Sequence, residues 1–193
     1  MSTRENIAAA ADDLFYERGF EATSFADIAG VVGISRGNFY HHFKSKDEIL
    51  DAVIDRRIAK TRKMLETWQA KGQTPVERIG CFVRILIRNR AKITLYGCPV
   101  GTLVSELGKL NHVSQSRANA LFSLFGDWLA DQFRALGCDE GAALQHARHL
   151  LARSQGVAAL SQALRDDDFI DTEVELMLAY AAAAAPANSA KGD

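Results

Sequence analysis

Several things are scarce in this chain of 193 residues, and each scarcity removes a class of protein. The three cysteines, Cys81, Cys98 and Cys138, are odd in number and widely spaced, which argues against a disulfide framework or a zinc site and for reduced cytosolic thiols. No apolar run reaches eighteen residues, and Arg4-Glu5-Asn6 passes straight into an amphipathic pattern instead of a charged-then-apolar leader. Neither secretion nor a membrane span is expected, and a cytoplasmic protein is. Catalytic constellations are missing too. The sequence holds no carboxylate pair with a histidine, no Gly-x-Ser-x-Gly and no phosphate-cradling glycine loop. His146 and His149 stand three apart without a Glu-x-x-His, so no metal and no cofactor is expected and the two read as surface or interface histidines. Finally, net charge is only −1, and residues 1–50 carry more acids than bases. Any contact with nucleic acid must therefore rest on a local basic face, built from Arg4, Arg36, Lys44 and Lys46 with Asp12, Asp13 and Glu17 turned away.

What is present is concentrated in Ser24 to Lys46, SFADIAGVVGISRGNFYHHFKSK. Ser24 and Asp27 form a capping box ahead of an apolar run, so a helix starts there. Phe25, Ile28, Ala29 and Val32 recur at three- and four-residue intervals and make one inward face. Gly33 supplies the left-handed turn, Ile34 points inward, and Ser35 caps a second helix to about His42 with Phe39 and Phe43 inside. That is a helix-turn-helix. Its outward set has a chemistry. Arg36 and Asn38 are bidentate readers of guanine and adenine, and Gly37 admits the backbone close to base edges at the helix start, where this motif reads the major groove. Tyr40, His41, Lys44 and Lys46, with Ser24 at the start of the first helix, suit phosphate. Between Asp27 and Asp47 there is no acid.

A first helix from about Thr3 to Arg18, buried through Ile7, Ala10, Ala11, Leu14 and Phe15 and stopped by Gly19, completes a three-helix unit with a core that is marginal alone. Ser45 and Glu48 open a long helix to about Trp68, some 35 Å at about 1.5 Å per residue. A tilt at its far end would move the reading helix. Arg56, Arg57, Lys60, Arg62 and Lys63 on it read as a solvated face.

The order Gly19-Phe20, Thr23-Ser24, Asp27-Ile28-Ala29, Gly33-Ile34-Ser35, Gly37, Phe39-Tyr40, Phe43 and Lys46, followed by the long helix, resembles the tetracycline-repressor (TetR/AcrR) family of bacterial transcriptional regulators over about the first fifty residues. The resemblance implies an all-α dimer. Its N-terminal domains would occupy successive major grooves of a near-palindromic double-stranded DNA operator, and its C-terminal domain would bind a small-molecule effector that releases the DNA. By the same resemblance Arg36 and Asn38 are base readers, and Tyr40, His41 and Lys46 phosphate contacts.

Downstream, Thr74, Pro75 and Glu77 start a helix with Ile79, Phe82, Val83, Leu86 and Ile87 inward and Arg84, Arg88 and Arg90 outward, closed by Gly97. Pro99 leaves Cys98 at or next to a helix N-cap, where backbone donors favour a thiolate. Leu103 and Leu107 continue that helix. After Asn111 a longer one carries Ala118, Leu121, Phe122, Phe125, Trp128, Leu129 and Phe133 to Gly137. Phe82, Leu86, Tyr96, Cys98, Leu103, Phe122, Phe125 and Trp128 are the candidate ligand pocket, for an apolar or aromatic effector; equally, the same side chains could fill the space. Two last helices, about Asp139–Leu164 and Phe169–Ala185, are rich in small residues. Ala147, Leu151, Ser154, Ala158, Val174, Met177, Leu178 and Ala181 are the candidate homodimer interface, a four-helix bundle from two hairpins.

The expectation is thus all-α. A helix-turn-helix domain at 1–50 is joined by the long helix to a ligand-binding and dimerisation domain at 51–193, with disorder from about residue 186. The functional reading is a homodimeric repressor released by a small apolar or aromatic effector. An electrophile- or oxidant-sensing repressor acting through Cys98 is the alternative, and an all-helical enzyme or structural bundle the remote one.

Overall fold

The structure, a computed structural model, describes residues 2–184, less the side chain of Arg36. The expected helix end at Ala185 and Pro186 and the expected disorder from about residue 186 lie outside the described residues. Among the described residues every regular element is a helix: α1 Thr3–Arg18, α2 Phe25–Val32, α3 Arg36–His42, α4 Lys46–Lys71, α5 Pro75–Val83, α6 Ile85–Arg88, α7 Arg90–Tyr96, α8 Pro99–Lys109, α9 Gln115–Ala135, α10 Glu140–Leu164 and α11 Asp168–Ala183.

Local chemistry sets the starts. The Ser24 hydroxyl accepts from the Asp27 amide at 3.2 Å, and the Asp27 carboxylate accepts from the Ser24 amide at 2.8 Å, so two of the four orphan donors at the start of α2 are satisfied. Ser2 with Glu5 on α1, and Thr74 with Glu77 on α5, repeat the device. At α4 it is displaced by one residue. The Glu48 amide donates to the Ser45 hydroxyl at 3.1 Å, but the Glu48 carboxylate reaches past Ser45 to the Lys44 amide at 2.8 Å. Gly33 takes φ +73° and turns α2 into α3.

These caps titrate. Hydrogen bonds from Ser24 hold the Asp27 carboxyl below the usual carboxylate range, and those from the Ser2 backbone and side chain do the same for Glu5. A carboxyl depressed on folding contributes stability above its unfolded pKa, about 4, and loses it as pH falls through the folded value. In thermal melts, Asp27→Asn is therefore expected to be less stable than the parent at pH 6, with the difference closing towards pH 2.

The chain divides into two compact units. The first takes the described residues of Met1–Thr61 together with Pro99–Leu121, the second Arg62–Cys98 together with those from Phe122 onward. The division expected at residues 50 and 51 isolates the reading head; compactness runs past it. Ile49, Leu50, Val53 and Ile54 are fully buried in the same core as Ile7, Phe15, Phe20, Ile28, Phe39 and Phe43, and Leu103, Leu107 and Ala118 complete that core from α8 and α9. A three-helix unit with too little core of its own has recruited segments of three further helices, α4, α8 and α9.

Polar side chains bind α8 and α9 to the rest of this unit. Arg57, 8% exposed, donates from Nε to Asp12 Oδ1 at 2.6 Å and from Nη1 to the Pro99 carbonyl at 2.5 Å. Three acids one turn apart on α4 are engaged by the α8–α9 junction: Asp47 by His112, Asp51 by Ser114 and Arg117, and Asp55 by Arg117. The basic face expected on α4 is thus partly an internal network, with Arg56, Arg57 and Lys60 all gathered on Asp12.

In the second unit the segment closed by Gly97 is not one face. It breaks at Arg84 and Asn89 into α5, α6 and α7, and the change of register leaves Ile87 37% exposed rather than inward and turns Arg90 onto Asp171 rather than outward. Arg84 and Arg88 remain exposed. α10 and α11 pack against α5–α7 and each other around Ile79, Phe82, Val83, Leu129, Phe133, Leu150, Val157 and Met177.

Candidate DNA interface

α3 sits on the first unit's core through Phe39, 1% exposed, and Phe43, fully buried. Phe39 meets Phe25 edge-on at 5.2 Å, and Tyr40 leans on Phe25 at 5.7 Å, so the aromatic pair fixes the rotation of α3 about its axis. The C-terminal end of the helix is held from α1. Arg4 donates to the His42 carbonyl and places its guanidinium 4.0 Å from the Phe43 ring centre, a cation at the negative end of the helix dipole.

With that face anchored, Gly37, Asn38, Tyr40, His41 and Lys44 are exposed together. Gly37 has ordinary helical backbone, and a Cβ built on it would have nothing within 4 Å, so nothing inside the protein requires glycine there. Ser24 is exposed at the α2 start, its hydroxyl 2.5 Å from Asp27 Oδ2. The backbone of Arg36 is the first residue of α3; its side chain lies outside the described set. Lys44 donates to the Tyr40 carbonyl at 2.5 Å. Lys46, expected at a phosphate, is engaged within the protein. Its ammonium donates to the carbonyls of Phe20 and Glu21, each at 3.1 Å, and lies 4.4 Å from the Phe20 ring centre.

Sequence reading missed the residue that completes this arrangement. The Glu106 carboxylate, from α8, accepts the backbone amides of both Phe20 and Glu21 at 2.9 Å. Within the segment joining α1 to α2, Phe20 and Glu21 thus have both their amides on Glu106 and both their carbonyls on Lys46. No local signal marks Glu106, which is 86 residues from Phe20.

The candidate ligand-pocket residues come together only in part. Phe82, Leu86 and Phe125 are buried in the second unit's core, Leu103 belongs to the first unit's core, and Tyr96, Cys98 and Phe122 are half-buried. The aromatics fill rather than line: Phe82 to Phe125 at 5.6 Å, Phe125 to Trp68 at 6.5 Å and Trp68 to Trp128 at 5.7 Å form one ladder, in which Trp68 was not foreseen. Only Trp128 of the eight lines the cleft of about 440 Å³ on this unit, with residues of α4, α5 and α9. Cys98 packs against the same core just before α8, and burial with the neighbouring Asp139 pushes the Cys138 thiol up.

The candidate dimer-interface residues lie mostly inside the second unit. Ala147, Ser154, Ala158, Val174, Met177 and Ala181 are all at most 5% exposed in the single chain, and Leu151 and Leu178 lean on the same core. In the single chain these positions fold the hairpin onto its own unit, with Leu151 and Leu178 half-buried. Because α10 carries small residues on more than one face, its spacing fits two faces. The other one, Ala152, Gly156, Ala159 and Ala163 on α10 with Leu176, Ala179 and Ala183 on α11, is exposed.

His146 Nδ1 lies 2.6 Å from the Tyr180 hydroxyl and His149 stacks on the Tyr180 ring. Among the described residues no group of three or more ligating side chains could hold a metal ion, and no helix is long and apolar enough to cross a membrane.

A reading helix with an acid-free outer face, set by a capped helix-turn-helix in an all-helical chain, defines a DNA-binding regulator. Residues 7–53 match the family described as bacterial regulatory proteins, tetR family. An HTH-type transcriptional regulator from the lacX 3' region of Lactococcus lactis subsp. lactis is 30% identical over 179 residues, 91% of each chain. The HTH-type transcriptional regulator TtgR of Pseudomonas putida is 35% identical over 88 residues, 46% of this chain and 41% of its own. The crystal structure of a TetR transcriptional regulator from Legionella pneumophila superposes with a TM-score of 0.82 at 26% identity, covering 92% of this chain and 96% of that one. The chain belongs to the tetR family: it is a DNA-binding transcriptional regulator and not an enzyme.

Proposed function

We propose that the protein is a homodimeric, cytoplasmic repressor that holds a near-palindromic operator through two copies of α3 and releases it when a small molecule occupies the second unit. Two-fold symmetry matches two half-sites roughly 34 Å apart, one helical turn of DNA. Arg36, Gly37 and Asn38 face base edges; Ser24, Tyr40, His41 and Lys44 take phosphates, and Lys46 serves first to set the α1–α2 turn.

Gly37 carries this reading. It occupies an exposed helical position with open space beyond its α-carbon, where alanine would be better for the helix by roughly 1 kcal/mol. The glycine then serves an approach from outside. Gly37→Ala is expected to raise the melting temperature while lowering operator affinity at least tenfold, and Asn38→Ala to relax preference at one base pair per half-site by about 1–3 kcal/mol. The operator for these measurements comes from sequencing genomic fragments retained by the protein. Gly37→Ala binding as tightly as the parent would remove the observation on which the reading rests.

A further inference from the structure

We propose that the cleft on the second unit is the seat of a planar aromatic carboxylate. The proposal rests on the ligand-responsive reading above and adds the place and chemistry of the ligand.

The cleft has about 440 Å³, room for a ligand of one or two rings. One wall is the Trp128 indole, backed by Trp68 at 5.7 Å, with Leu65 and Ala135 adding apolar surface. Its floor is Gln132, 3% exposed, whose amide nitrogen is spent on Gln69 Oε1 at 3.1 Å and the Trp128 carbonyl at 3.3 Å. Two donors are left over. Trp128 Nε1 is buried without a hydrogen-bond partner among the described residues, a state that costs free energy unless an acceptor arrives. Arg78, half-buried, donates from Nε to the Gly72 carbonyl at 2.9 Å and makes a long contact of 3.5 Å to Gln132 Oε1; both acceptors are neutral, and no carboxylate among the described residues pairs with it.

The carboxylates at the rim do not answer this charge. Asp131 is committed to Arg134 at 2.5 Å, and exposed Glu66 stands one turn from exposed Arg62 on α4 and offsets it. A partly desolvated guanidinium with spare donors favours a planar anion bound through two parallel hydrogen bonds. Beside an indole face and an orphaned indole N–H, the matching ligand is a flat ring carrying a carboxylate.

The test is calorimetry on the full chain with 2-naphthoate and with 2-naphthamide, which has the same ring and no charge. Naphthoate is expected to bind at least tenfold more tightly; Arg78→Gln should bring it down to the level of the amide, and Arg78→Lys should keep part of the preference. Trp128→Phe should weaken naphthoate several-fold. Equal binding of the two probes, or a preference that survives in a folded Arg78→Gln protein, overturns the proposal. Operator release is read separately. Naphthoate that binds with the expected preference but leaves the operator complex intact keeps the cleft and overturns the ligand-responsive reading; release by neutral aromatics, with no preference for naphthoate, keeps that reading and overturns the cleft.

Discussion

Glu106→Ala is expected to cut operator affinity by more than tenfold and to lower stability by about 2–3 kcal/mol, although residue 106 lies on neither helix of the reading motif. The carboxylate accepts two backbone amides at 2.9 Å, those of Phe20 and Glu21. Removing it leaves two donors at a half-buried turn with nothing to bond, and each charge-assisted hydrogen bond is worth about 1.5–3 kcal/mol. Solvent reaching the turn offsets part of that. Glu106→Gln is the informative companion. An amide keeps one acceptor oxygen but turns an N–H₂ group towards the second backbone donor, so it should recover less than half of the loss. The turn also tolerates no side chain: Gly19 has φ +96°, and a Cβ there would sit 3.0 Å from Glu106 Oε1. Operator titrations and melting curves on the same samples separate the two effects. The affinity loss is expected to exceed what the unfolded fraction explains, because freeing Phe20 loosens the seat of α2 and with it the angle of α3. Operator affinity that changes only in step with stability would show that Glu106 holds the fold and does not position the reading head. α8 begins one residue after Cys98, where the chain passes from the second unit to the first, so in a ligand-responsive repressor Glu106 is the first strong tie from that crossing to the reading head.

What the sequence disclosed and what it hid follow a physical line. Capping boxes at Ser24–Asp27 and Thr74–Glu77, the left-handed Gly33 and the α3 boundaries were all legible, because each is decided by side chains within four residues of the backbone they serve. The displaced box at α4 was legible in kind and missed by one residue. Glu106 on Phe20, Arg57 on the Pro99 carbonyl and Arg117 on Asp55 were not legible, since the partners are 86, 42 and 62 residues apart and any exposed acid or base has many alternatives at that range. The ligand-pocket set was only partly legible, for a different reason. Large apolar side chains at helical spacing report burial, and burial does not distinguish Leu103 in one core from Phe82 in the other. Trp128 was found, but most of its neighbours in the cleft are polar, and a search for aromatic lining passed them by.

The hairpin α10–α11 gives the other large effect, in the contrast between adjacent alanines. Ala158 is 1% exposed and lies in the second unit's core, whereas Ala159 is exposed on the outer stripe with Ala152, Gly156 and Ala163. Ala158→Arg buries a charge and overfills the core, a loss of more than about 4 kcal/mol that should leave little folded protein. Ala159→Arg should leave the isolated fold intact, with far-ultraviolet circular dichroism like that of the parent, and should abolish association. The stripe is suited to close helix crossing. A Cβ at Gly156 would meet nothing within 4 Å in the single chain, and small side chains at intervals of three and four let a partner's helix approach. Leu160, 49% exposed, and Leu176, 49% exposed, flank it with apolar surface that a lone chain has no reason to leave in water. Multi-angle light scattering should then give the parent twice the mass of Ala159→Arg. Operator affinity of the monomeric variant should fall by roughly 10²–10⁴, the advantage lost when the second half-site is no longer met at high effective concentration, while affinity for a single half-site stays the same. A dimeric Ala159→Arg would place the two-fold axis elsewhere on the second unit, and the spacing of the two α3 helices would have to be derived from that face instead.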